Sequence, residues 1–146
     1  MNKPFAALFA ATLALAAFPA FAADHEVRML NRGEAGNMVF EPAALQIEPG
    51  DTVTFVSVDP GHNAETIAGM VPEGAEPFRT KLSETTAITF DVPGVYGIKC
   101  TPHLAMGMVA LIRVGDDAHN IEEVKAVRQP PVAGKRFEAA YTELGL

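Results

Sequence analysis

Two runs of alternating side chains enclose one short segment, and together they constrain the fold more than anything else in the chain. In Val95-Tyr96-Gly97-Ile98-Lys99-Cys100 the side chains change face at every residue. Tyr96, Ile98 and Cys100 therefore share an inner face, and Lys99 points outward. Beyond the segment, Met108, Ala110, Ile112 and Val114 share a face that excludes Arg113. The order is strand, loop, strand, with Cys100 closing the first strand and Met108 opening the second, both directed at the core.

The loop itself, Cys100-Thr101-Pro102-His103-Leu104-Ala105-Met106-Gly107-Met108, contains the only cysteine, one of four histidines and two of six methionines. A lone cysteine is ordinarily a small buried hydrophobe, and methionine ordinarily fills gaps in a core. Their concentration here, with an imidazole between them, asks for another reading. A thiolate, an imidazole and a weak axial thioether lack only a second histidine to make a trigonal blue-copper set. His62, in Gly61-His62-Asn63, can supply it, because Asp59-Pro60-Gly61 breaks the chain just before it and places it at the end of a sheet. The candidate metal ligands are thus His62, Cys100, His103 and Met108. His25 and His119 are expected to be surface residues.

The rest of the chain reads as β structure followed by helix. Glu26 to Asn31, Met38 to Phe40, Leu45 to Ile47, Thr52 to Val58 and Ser83 to Phe90 carry strand signals, separated by turns such as 33–36 and Pro49-Gly50-Asp51. Residues 64–81, punctuated by Gly69, Pro72, Gly74 and Pro77, read as a long irregular connection. Short strands with turns between them argue a mostly β fold, a Greek-key β-sandwich. Asn120 with Glu123 reads as the N-terminal cap of a short helix ending before Pro130. Phe137, Ala140, Tyr141 and Leu144 then mark one face of a second helix.

Specific blocks of text carry a resemblance. They are Asn31 in the opening strand, Met38-Val39-Phe40-Glu41-Pro42-Ala43, Pro49-Gly50-Asp51-Thr52-Val53-Thr54-Phe55, Gly61-His62-Asn63, Pro72-Glu73-Gly74-Ala75-Glu76, and Lys99-Cys100-Thr101-Pro102-His103 through Met108. The sequence is similar to the cupredoxins, small blue-copper electron carriers, and most like the pseudoazurins among them. The resemblance implies a cupredoxin β-sandwich with two C-terminal α-helices, and one type 1 copper ion cycling between Cu(I) and Cu(II). It implies a monomeric electron-transfer protein rather than an enzyme. Redox partners would dock at the His103 face, a denitrification nitrite reductase and a c-type cytochrome among them.

Roles for other residues come from the same resemblance. Asn63 would lock the two ligand loops together, Tyr96 would anchor its strand and Met38 would pack by the His103 ring. The spacing Cys-x₂-His-x₄-Met selects Met108 as the axial ligand, whereas Met106 would need the shorter loop of other cupredoxins. Pro102, Leu104, Ala105 and Met106 would form an apolar disc around His103, with a basic ring drawn from Arg32, Arg79, Lys81 and Lys99. Family members often carry an aromatic residue where Leu104 stands, and some carry lysine where Pro60 stands.

Residues 1–22 read as a secretory signal: Lys3, an apolar stretch from Phe5 to Phe18, and Ala20-Phe21-Ala22 as an A-x-A cleavage site. A single soluble domain from Ala23 to Leu146, exported to the periplasm and not inserted in a membrane, is the expectation. Export sharpens the reading of Cys100, since a single cysteine has no disulfide partner within the chain and coordination would protect its thiol. Without residues 1–22, ten basic residues face eighteen acidic ones, a net charge of −8. That balance excludes nucleic acid as a partner, because such binding rests on neutralising phosphates. Hydrolase, P-loop and paired-cysteine zinc motifs are absent. A thiol hydrolase built on Cys100 and His103 is disfavoured, as nucleophile and base usually come from distant segments. The competing function is copper delivery or storage, although such proteins commonly use methionine-rich tracts and the methionines here are dispersed apart from Met106 and Met108.

Overall fold

The computed structural model describes residues 22–146, so the expected leader, apart from Ala22, lies outside the described residues. Eight strands are followed by two helices: β1 Asp24–Gly33, β2 Gly36–Glu41, β3 Ala44–Ile47, β4 Asp51–Ser57, β5 Glu65–Thr66, β6 Thr86–Phe90, β7 Gly94–Lys99, β8 Val109–Val114, α1 Ile121–Ala126 and α2 Pro131–Leu144. One sheet has the order β2-β1-β4-β6 and the other β3-β8-β7-β5. The pairs β1/β4 and β3/β8 are parallel, and the rest are antiparallel. Neighbours in space that are distant in sequence give the two-sheet Greek-key sandwich that the turn spacing predicts.

Alternation along β7 and β8 divides their side chains between two cores. Tyr96, Ile98, Cys100, Met108, Ala110, Ile112 and Val114 face the first sheet and join Val27, Met29, Phe40, Val53, Phe55 and Phe90. An aromatic run, Phe40 to Phe55 to Phe78 to Phe90 to Tyr96, crosses that interior with ring centroids 5.0 to 6.2 Å apart. The opposite face of the same strands, Val95, Val109 and Leu111, packs under Val124, Ala133, Phe137, Ala140 and Tyr141 from the helices. The second sheet is therefore covered on both sides, which is why every residue of β7 except Lys99 is buried.

Three local features depart from the sequence reading. Residues 101–106 form a 3₁₀ helix instead of an open loop. The irregular connection contains the two-residue strand β5, which pairs with β7 at Lys99 and Ile98. Asn120 does occupy the N-cap position of α1, but its side chain makes no capping bond. Instead its Oδ1 accepts the Val95 N–H and its Nδ2 donates to the Val95 carbonyl, both at 2.9 Å. β7 would otherwise have buried peptide groups facing the helix without partners. Among the described residues no helix is long and apolar enough to cross a membrane.

Candidate metal centre

Strand ends bring together the segments that carry the candidate ligands. Cys100 follows the last residue of β7, and its amide donates to the Met108 carbonyl at 2.9 Å. The 3₁₀ helix, with Pro102 in its first turn, folds His103 back over Cys100, and Gly107 ends the helix with φ +88. The Met108 amide donates to the His103 carbonyl at 3.1 Å. His62 enters from the connection after β4, where its carbonyl accepts the Ser83 N–H at 2.9 Å and the Ser83 hydroxyl accepts the Gly61 N–H at 2.8 Å.

The resulting geometry is a small triangle. His62 Nδ1 lies 3.7 Å from Cys100 Sγ, His103 Nδ1 lies 3.4 Å from the same sulfur, and the two nitrogens are 3.1 Å apart. A circle through the three atoms has a radius of about 2 Å, the length of a metal–imidazole bond and only slightly short of a metal–thiolate bond. Three lone-pair-bearing atoms held this close repel unless a proton or cation lies between them. The donor set and its size thus fit a trigonal soft or borderline metal such as copper. No other group of three or more His, Cys, Asp or Glu side chains converges in this way among the described residues.

Burial and outer contacts orient the donors. Cys100, His62 and Met108 are inaccessible to solvent, whereas His103 is half-buried and Met106 is 48% exposed. His62 Nε2 lies 2.9 Å from Asn31 Oδ1. Because that oxygen can only accept, Nε2 carries the proton and Nδ1 presents its lone pair to the triangle. Asn63 ties the two ligand segments together: its Oδ1 accepts the Thr101 N–H at 2.8 Å and its Nδ2 donates to Thr101 Oγ1 at 3.1 Å. This is the lock that the resemblance implies. Tyr96 anchors its strand through a 2.7 Å bond from its hydroxyl to the Val92 carbonyl. Met38, with φ +51, is half-buried against the cluster that contains Cys100 and Met108.

Electrostatics argue against nucleophilic chemistry. The structure does bring Cys100 and His103 within reach of each other, although they are only three residues apart. Burial pushes the Cys100 thiol up, opposed by backbone hydrogen bonds at Asn63 and His103. Burial likewise lowers His62, and the neighbouring His103 adds to that effect. A protonated, inaccessible thiol is a poor nucleophile. A positive ion at the triangle reverses the balance by favouring the thiolate.

Three members of the expected basic ring lie beside carboxylates. Arg79 and Lys99 both approach Glu65, at 3.7 and 3.9 Å, and Lys81 approaches Glu84 at 3.7 Å. Lys99 is only 24% exposed, so its charge is partly covered as well as paired. Glu65 also accepts a 2.6 Å bond from the Thr101 hydroxyl, beside the cysteine. Pro102, Ala105 and Met106 are exposed, while Leu104 is half-buried and packs toward the helical core. His25 lies beside Asp51 and His119 beside Asp117, in neither case as part of the triangle.

Asn31 is the contributor whose role the sequence conceals. The β1–β2 ladder pairs Leu30 with Val39 and Arg32 with Asn37 but skips Asn31 and Met38. At that gap the Asn31 amide donates to Asp59 Oδ2 at 2.7 Å, and its side chain reaches His62.

Comparison with known proteins agrees with the geometry. A family model for copper binding proteins of the plastocyanin/azurin family matches residues 27–115. The chain is 50% identical over 143 residues to a pseudoazurin of Paracoccus pantotrophus, covering 98% of each. It is similar to the crystal structure of pseudoazurin from Methylobacterium extorquens AM1, with 44% identity, a TM-score of 0.81, and coverage of 83% of this chain and 98% of that one. Native pseudoazurin from Hyphomicrobium denitrificans superposes with a TM-score of 0.77 at 37% identity, over 82% of this chain and 97% of that one.

Proposed function

Because the chain belongs to the copper-binding plastocyanin/azurin family of electron carriers, with pseudoazurins among its relatives, we propose that His62, Cys100, His103 and Met108 hold one type 1 copper ion and that the protein shuttles single electrons in the periplasm. We take residues 1–22 to be removed on export and a nitrite reductase to be the acceptor. The observation that carries the ligand assignment is the triangle of His62 Nδ1, Cys100 Sγ and His103 Nδ1. Bound there, copper supplies a one-electron couple whose two states tolerate nearly the same ligand set.

The residues around it hold the donors still and limit access. Asn31 fixes the His62 tautomer, and Asn63 keeps the His62 segment against Thr101. Full burial of Cys100 and Met108 keeps water from the sulfurs. His103 alone among the four is partly exposed, so its ring edge is the shortest way from a docked partner to the site. The exposed Pro102, Ala105 and Met106 surround it with apolar surface suited to brief contact.

Addition of Cu(II) to the purified protein is the test. An intense visible thiolate-to-copper band and a reversible redox couple are expected, and Cys100→Ser should abolish the band because a hydroxyl does not replace a soft thiolate. A colourless Cu(I) site that surrenders its metal readily to a chelator would favour copper delivery instead. A Cys100→Ser variant that stayed blue would refute the ligand assignment.

A further inference from the structure

Among the described residues, Arg136 on α2 donates to three backbone carbonyls and to no carboxylate. Its Nη1 lies 2.6 Å from the Met38 oxygen and 2.8 Å from the Gly107 oxygen, and its Nη2 lies 2.9 Å from the Asn37 oxygen. It takes part in none of the ion pairs among the described residues. A half-buried cation with only neutral acceptors gives up hydration without gaining an opposite charge. What it gains is geometry, because a planar guanidinium imposes directions on everything it binds.

The two segments it joins are both irregular and both adjoin the metal centre. Gly107 directly precedes Met108 and has φ +88. A Cβ there would lie 2.7 Å from Val132 Cγ1 and 3.2 Å from Arg136 Cδ, so the turn sits directly against α2. Met38 lies at the gap in the β1–β2 ladder, with φ +51, opposite the Asn31 that holds His62. Inside the loop, the Cys100–Met108 and Met108–His103 backbone bonds hold the methionine from the core side. From the helix side the guanidinium holds the peptide before it.

A methionine side chain has several rotatable bonds and a thioether is a weak ligand, so neither fixes the position of the sulfur. The backbone from which the side chain starts must do so. We propose that Arg136 is a positioning residue for Met108: its fork across Met38 and Gly107 fixes where the axial ligand begins and so tunes the redox centre from the C-terminal helix. The tuning rests on Met108 being a copper ligand, whereas the mechanical part does not.

Arg136→Gln and Arg136→Lys are compared with Ala140→Gly, which weakens the same helix at a buried position and leaves the fork in place. In metal-free protein, Arg136→Gln is expected to speed amide exchange at Met108 at least tenfold relative to Ala140→Gly. Arg136→Lys, which keeps the charge but loses the fork, should fall between. In copper-loaded protein, Arg136→Gln should shift the reduction potential and the relative intensities of the visible bands, and Ala140→Gly should leave both at parent values. If Arg136→Gln does not fold, Arg136→Lys is held to the same comparison. Exchange, potential and spectrum all indistinguishable from those of Ala140→Gly would reduce Arg136 to a helix anchor. Failure of the parent to take up copper would refute the ligand assignment, while exchange in the metal-free protein would still decide whether the fork holds Met108.

Discussion

At the scale of single residues, exposure separates the two methionines that share one loop. Met108 is inaccessible and Met106 is 48% exposed. Met108→Gln is therefore expected to change the spectrum and potential of the copper form much more than Met106→Gln, and paired voltammetry giving the opposite order would overturn the axial assignment. Asp51 gives a second prediction, far from that chemistry. Its carboxylate accepts N–H groups from Ala23 and Glu48 and lies 2.8 Å from His25 Nε2. The two backbone donors, and then His25, hold its carboxyl down at about 2. A carboxyl below its ordinary value of about 3.9 contributes stability above that pH and loses it as the pH falls toward 2. Asp51→Asn should be less stable than the parent at pH 7, and the difference should shrink between about pH 4 and pH 2. Urea melts with the same difference at every pH would show that charge is not the cause. The ligands were legible because cysteine, histidine and methionine are scarce and crowd one segment. The contacts of Asn31, which the sequence marks only as part of the resemblance, and of Arg136 were not, since they depend on a skipped ladder pair and on a helix packing across the loop, neither of which leaves a local pattern.

Among the elements, the strands were legible wherever one face differs from the other, because period-two alternation records which side meets the core. β7 and β8 add a complication, since both of their faces are buried. Their alternation records the division between the sandwich core and the helical core; the apolar face of α2 signals that a helix covers the sandwich, and the three-dimensional structure adds which strand faces it covers. The 3₁₀ helix and β5 are too short to impose a period. Asn120 shows how a correct boundary can conceal a different role. If the residue capped α1, serine would serve nearly as well. A side chain that bridges both peptide groups of Val95 needs the full amide, and a serine hydroxyl is too short to make both bonds. Asn120→Ser and Asn120→Ala should therefore each cost about 2 to 4 kcal/mol, the penalty for leaving a buried donor and acceptor unsatisfied. A serine variant within about 0.5 kcal/mol of the parent in chemical denaturation would restore the capping role.

For the whole molecule, the distribution of charge near the site matters more than the total. Exposed charges more than about 8 Å apart are largely screened at physiological ionic strength, so the net −8 of residues 23–146 says little about one face. Near the cysteine, Glu65 offsets both Arg79 and Lys99 while accepting the Thr101 hydroxyl. Glu65→Gln keeps an acceptor for Thr101 and removes the offset. It should raise the association rate with an acidic nitrite reductase by roughly a few-fold at low salt, and the gain should vanish at high salt. Lys99→Glu should act in the opposite direction. Stopped-flow rates that are the same for these variants and the parent at every ionic strength would refute steering by this cluster. The two-sided cover of the second sheet has a practical counterpart. The loop, the helices and the second sheet are all committed to the redox centre or to its support. The outer face of the first sheet is not: Glu26, Thr54 and Ala87 line up in one row across β1, β4 and β6, and Asp24, Thr52 and Thr89 in another, each row partly or fully exposed. A linker attached at Ala87 or Thr89 would fasten the molecule to an electrode or a label through a face that no ligand shares.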